Sequence, residues 1–182
     1  MKISVSSLLF ILCGSLITAC NTATPENYFD IAVLNCNMFH GFASSGLQRE
    51  LESPSVKLVE GTKDQTVPMK RKEIIDSKIQ YIEPNLEKIK HLKQTEDTKE
   101  MLQASVALHE YVLSGYKNEY QQLAKLYDDN APGEQIQSLE QSIEKKYSQN
   151  FSELFDKLMA VAKPYAERHH IQVNWDVSTS PQ

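Results

Sequence analysis

Histidine titrates near neutral pH, and three of the five histidines in this 182-residue chain lie where proton transfer or metal binding is conceivable. His109 falls in an apolar run, with Ser105 four positions before it and Tyr116 seven after. A hydroxyl beside an imidazole has the composition of a general-base pair. No serine of the chain lies in a Gly-x-Ser-x-Gly turn, however, so the favoured reading of His109 is a hydrogen-bonded core residue. His169 and His170 adjoin Glu167, and Glu167-x-x-His170 is half of the two-copy motif that holds paired metal ions in ferritin-like bundles. The second copy is missing. Glu167, His169 and His170 are therefore weak metal candidates, better read as a solvated helix end. No Walker loop, Gly-x-Gly-x-x-Gly, Cys-x-x-Cys-His or His-Glu-x-x-His occurs. Neither a catalytic residue nor a cofactor is expected, and an enzyme using His109 or the His169/His170 pair is the weakest of the readings.

Three further groups have a plain and a sharper reading. Lys70-Arg71-Lys72, with Lys78 and Lys88, can meet an anionic surface, but Glu73, Asp76, Glu83 and Glu87 are interleaved with them. A solvated face with intrahelical pairs is favoured. Tyr111, Tyr116, Tyr120 and Tyr127 are spaced to line a groove, and such a stripe is more often core. Cys36, among Leu34, Met38 and Phe39, reads as a small buried apolar residue. The balance of 19 Lys plus Arg against 24 Asp plus Glu, net −5, argues against nucleic-acid binding.

The elements that must position these residues are helical, since Gly and Pro are scarce and helix formers plentiful. Thr24-Pro25 predicts a helix start. Apolar residues from Tyr28 to Leu51 at threes and fours predict one buried first helix, with a tight crossing or slight kink at Gly41, Ser44, Ser45 and Gly46. Ser53-Pro54 ends it, and residues 56–67 read as a connection holding a helical turn or an extended piece. Ile75, Ile79, Ile82, Leu86 and Ile89 form the seam of a second helix, kinked at Pro84. Thr95 to Tyr127 predicts a third helix, Asp128 to Gly133 a break, and Ile136 to Tyr165 a fourth. Ile171, Val173 and Trp175 alternate with polar residues, predicting a short extended tail anchored by Trp175. The expected fold is all-α: an antiparallel four-helix bundle with a kinked second helix and an extended C-terminal tail.

The N-terminus reads as a targeting segment. One charge at Lys2 precedes an apolar run from Leu8 to Ile17 that gives way at once to Asn21, Thr22, Ala23, Thr24 and Pro25, which is too short for a permanent membrane span. Ile17-Thr18-Ala19-Cys20 resembles the lipobox of bacterial lipoproteins. That resemblance implies cleavage between Ala19 and Cys20 and a diacylglycerol thioether on Cys20. It also implies stable membrane anchoring, at roughly 0.8 kcal/mol per buried CH₂. Asn21, where an aspartate favours inner-membrane retention in lipoproteins of proteobacterial type, implies the outer membrane.

The expected organisation is a signal peptide over residues 1–19, a lipidated tether over 20–24, a helical domain over 25–177 and a loose C-terminus over 178–182. With Cys13 in the signal and Cys20 acylated, Cys36 has no disulfide partner. The layout resembles small helical-bundle envelope lipoproteins of Gram-negative bacteria. That resemblance implies a periplasm-facing binding or envelope-structure module, with the membrane and an envelope protein as partners. An immunity- or inhibitor-type lipoprotein that neutralises a periplasmic toxin is the alternative binding role.

Overall fold

A computed structural model describes residues 23–175. The lipobox, with Ala19 and Cys20, and the segment 176–182 lie outside the described residues. The molecule is predominantly helical with one small two-stranded sheet. Helix α1 spans Pro25–Ala32 and is followed by a 3₁₀ turn, Leu34–Phe39; α2 is Ser45–Glu52. Strands β1 (Val56–Leu58) and β2 (Thr66–Pro68) form an antiparallel hairpin, with Val56 opposite Pro68, Lys57 opposite Val67 and Leu58 opposite Thr66. Then come α3 (Arg71–His91), α4 (Lys99–Gly115), a π-helical turn (Tyr116–Tyr120), α5 (Gln121–Asp128) and α6 (Gly133–Arg168).

Local chemistry explains most boundaries. The Thr24 hydroxyl accepts from the Asn27 amide, and Pro25 sits in the first helical turn, where its missing N–H is harmless. Thr95 and Thr98 exchange side-chain to backbone bonds ahead of α4 at 2.9 and 3.2 Å. At the end of α6, His170 adopts φ +56° and the Ile171 amide donates back to the Ala166 carbonyl, the Schellman closure usually given to glycine. Helix α3 runs through Pro84 without interruption. The expected third helix extends to Asp128 as α4, the π turn and α5. In the described part of the tail, Ile171 and Val173 pack on the core, and Trp175, 39% exposed, meets the Phe29 ring edge-on at 6.0 Å.

The first helix departs from expectation. The segment 25–51 is two short helices joined by a 3₁₀ turn and a reversal, because Gly41 (φ +81°) and Ala43 (φ +53°) are left-handed and cannot continue a helix. The Leu47 amide donates to the Gly41 carbonyl across the reversal. The reversal drives Phe42 into an aromatic cluster with Tyr116, Tyr120, Tyr147 and Phe151, whose centroids lie 5.2–5.6 Å away. Gly115 makes room for it: a β-carbon there would stand 2.8 Å from the Phe42 ring.

The long helices pack along one another, α4 against α3 and α6, and α5 against α3 and α6, with α1 on α3 and α4. This arrangement has two poles. Pro25, Lys93, Asp97 and Tyr165 meet at one, where Tyr28 donates to the Lys93 carbonyl, Tyr165 to the Pro25 carbonyl, and Arg168 pairs with Asp97. The hairpin, the start of α3 and the end of α5 meet at the other, where Asp128 accepts from the Arg71 amide.

The close approach of Gly41 to Leu47 can be isolated by two alanine substitutions. A β-carbon on Gly41 meets the Leu47 nitrogen at 2.8 Å, whereas one on Gly61 (φ +79°) enters open space. Gly61→Ala is expected to cost about 1 kcal/mol and Gly41→Ala about 2 kcal/mol or more. Urea unfolding followed by circular dichroism measures both; equal losses would show that the reversal does not depend on this contact.

Candidate functional site

Breaking the first helix leaves its last carbonyls without helical partners, and side chains of α3 and α4 satisfy them around the predicted Ser105 and His109, which lie one turn apart on α4. His109, on α4, is completely buried. Its Nδ1 lies 2.8 Å from the Ser105 carbonyl and its Nε2 lies 2.8 Å from the Asn85 side-chain amide on α3. Nδ1 therefore carries the proton and Nε2 accepts, the arrangement of a neutral imidazole. Asn85 also donates to the Ile31 carbonyl and accepts from Asn35, while the Ser105 hydroxyl donates to the Ala32 carbonyl at 2.6 Å. The Phe39 ring closes over His109, edge to face at 4.7 Å.

This geometry is that of a core hydrogen-bonding node. The Ser105 hydroxyl proton is committed to Ala32, and the nitrogen nearest that hydroxyl already donates its own proton, so the pair has no lone pair in place to activate the serine. Burial, opposed only by the Ser105 carbonyl, holds the His109 pKa down at about 4.

The other predicted residues are dispersed. His169 packs against Tyr165, ring centres 4.4 Å apart and tilted by 47°, and bonds Asp97 at 2.5 Å, and Asp97 also binds Arg168. The carboxylate brought to His169 is thus Asp97 from the turn before α4, in place of Glu167, which is exposed along with His170. Among the described residues no three His, Cys, Asp or Glu side chains are grouped to hold a metal ion. Cys36 is buried and free, its Sγ 3.7 Å from the Ala32 carbonyl, and burial pushes its thiol pKa up. Such a thiol is a poor nucleophile. Tyr116 and Tyr120 are core, Tyr111 is half-buried against Tyr147, and Tyr127 donates to Glu140.

One grouping was not legible in the sequence. A cleft of about 840 Å³ runs between the start of α3 and the outer side of the π turn and α5; Lys70, Arg71, Lys72 and Lys125 line it, and so does Lys117, which pairs with Glu83 farther along α3. The basic run is conspicuous in the sequence, but its partners lie some fifty residues away. The only local signal for them is that Lys117, Gln121 and Lys125 share one helical face.

A scan against protein-family models and searches of curated proteins and of solved structures find no match to this chain.

The buried imidazole predicts a specific acid sensitivity. The unfolded chain binds a proton at His109 near the ordinary 6.5, and the folded chain only near 4. Stability contributed by the neutral ring is therefore complete above about pH 6.5 and falls as the pH drops toward 4, by on the order of 3 kcal/mol across that window. Urea midpoints measured from pH 7.5 down to 4 should decline in the wild type and flatten in His109→Gln. Parallel profiles would remove His109 as the cause.

Proposed function

We propose that this chain is a lipid-anchored envelope protein, held in the outer membrane through Cys20 and facing the periplasm, where it acts as a non-catalytic binding or envelope-structure module. The observation that carries the reading is the sequence Ile17-Thr18-Ala19-Cys20, which ends three residues before Ala23 packs against the core. Three residues reach about 10 Å, so an acylated Cys20 would hold the pole around Pro25, Asp97 and Tyr165 close to the bilayer. No helix among the described residues is long and apolar enough to cross a membrane, and in this reading the anchoring falls to the lipid alone.

In the same reading α3, the α4–α5 rod and α6 are three members of an antiparallel four-helix bundle, and the broken α1–α2 segment takes the place of the fourth. The bundle is a rigid stand that carries its far pole away from the membrane; α3 alone, with 21 residues, spans roughly 32 Å. The lack of an open nucleophile beside His109 supports a binding role over a hydrolytic one. An envelope protein is the expected partner class.

Intact mass and membrane fractionation of the full chain, beside Cys20→Ala, test the anchor. The wild type is expected to lose residues 1–19, gain the mass of its acyl chains and sediment with outer membrane. The variant should be unacylated and leave that fraction. Wild-type protein that is unacylated and soluble would sink the proposal.

A further inference from the structure

The chain carries a net charge of −5, yet five cationic side chains gather around the cleft at the far pole. Lys70, Arg71 and Lys72 stand on one wall, Lys117 and Lys125 on the other. The volume, about 840 Å³, is within the range of small-ligand sites.

The acidic groups nearby are already engaged. Of the two carboxylates in the lining, Asp128 has its oxygens on the Arg71 and Lys72 backbone amides at 2.9 and 3.0 Å, which closes the α3 N-terminus to any outside anion. Asp129 pairs with Lys125. At the margin Asp76 holds Lys72 at 2.6 Å and Glu83 holds Lys117. These are exposed pairs, worth at most about 1 kcal/mol each and easily exchanged.

Two of the cations, Lys70 and Arg71, make no ion pair among the described residues. Lys70 has no carboxylate at ion-pair distance among the described residues, because Glu73 gives one oxygen to Lys57 and the other to the Lys70 backbone amide. Arg71 makes no ion pair among the described residues either; its Nε donates to the Leu51 carbonyl at 2.9 Å and its guanidinium lies 5.6 Å from the centre of the Tyr127 ring. Beside these cations stand three amides. Asn118 donates to the Ser114 carbonyl and Gln121 to Asp76, while their side-chain oxygens accept no bond among the described residues, and Gln122 is exposed on the same wall. Pro68 and Met69 supply an apolar edge.

We propose that this cleft binds an anionic saccharide, a sugar bearing a carboxylate or a phosphate. Lys70 and Arg71 take the acid group; the amides, and Lys117 beside Glu83 about 18 Å farther along α3, exchange hydrogen bonds with ring hydroxyls or a second acid group of the same saccharide, and the apolar edge meets the C–H face of the ring. Charge-assisted bonds supply the affinity and the amides the selectivity for a sugar over a bare ion. The anchored membrane's own headgroups are not the ligand, because the cleft lies at the pole opposite Pro25. That last step rests on the anchoring proposed above, whereas the binding does not.

Calorimetric titration of the full-length protein in non-ionic detergent tests this, with trigalacturonate and glucosamine 6-phosphate as the carboxylated and phosphorylated probes. Triacetylchitotriose, inorganic phosphate and tetra-aspartate are the comparisons. One or both acidic sugars should bind saturably, and which one does identifies the acid group. Lys70→Gln/Lys117→Gln should weaken that binding about tenfold or more, whereas Lys88→Gln/Lys145→Gln, which removes equal charge elsewhere, should change it less than about twofold. Lys70→Gln alone breaks no ion pair and should act in the same direction with the thermal midpoint unchanged. The proposal fails if neither acidic sugar saturates below about 10 mM, or if the two double variants lose equally. It also fails if the neutral sugar, phosphate or tetra-aspartate binds as tightly as the acidic sugar. Acylation is read by mass, so failure here leaves the anchor reading standing.

Discussion

The broken first segment imposes the constraint to which the other helices conform. Where a helix ends inside a core, its last carbonyls and the amides of the following turn must find partners, because an orphaned buried group costs about 1–3 kcal/mol. Here Asn85 on α3 and Asn35 reach the Ile31 carbonyl, Ser105 on α4 reaches the Ala32 carbonyl, and the Tyr120 hydroxyl accepts from the Ala43 amide. His109 then completes Asn85. Asn85 thus ties α3, Ser105 ties α4 and Tyr120 ties the π turn to the same short segment, so the segment fixes their relative placement.

The aromatic cluster is the apolar counterpart of that arrangement. Phe42 enters at the reversal, Gly115 vacates the volume it needs, and the π turn directly after Gly115 keeps Tyr116 and Tyr120 both against it. The same wide turn leaves Lys117 and Asn118 exposed and carries the chain into α5, whose outer residues face the start of α3. The cleft is thus a by-product of how Phe42 is accommodated. A π turn interrupts regular hydrogen bonding and is found often beside functional sites, and here it separates a packed inner side from a cationic outer one.

The two poles divide the chemistry. Around Pro25 the contacts are tight and mutually neutralising, with Asp97 shared between Arg168 and His169. Around Arg71 the hairpin strands are exposed on both faces, and Lys70 and Arg71 make no ion pair among the described residues. A molecule tethered at the first pole would offer the second to its surroundings, which suits a stand that presents a binding surface at a distance from the bilayer.

The sequence by itself determined the helical character, the courses of α3 and α6 to within about a turn at each end, the break near Asp128 to Gly133 and the core positions of Tyr116, Tyr120, Cys36 and His109. Each rests on local periodicity, capping or turn chemistry that acts over a few residues. It could not determine that residues 25–51 break, since their apolar spacing is compatible with one helix. What opposes that helix is the favourable burial of Phe42 against Gly115 and Tyr147, seventy and more residues away. Nor could it pair His169 with Asp97, or bring Lys70 and Arg71 into one cleft with Lys117 and Lys125. Helical periodicity reports which face of an element is buried and carries no information about which other element meets it. That choice was made in the tertiary structure, where packing volume and the need to satisfy buried backbone groups select one arrangement of the helices.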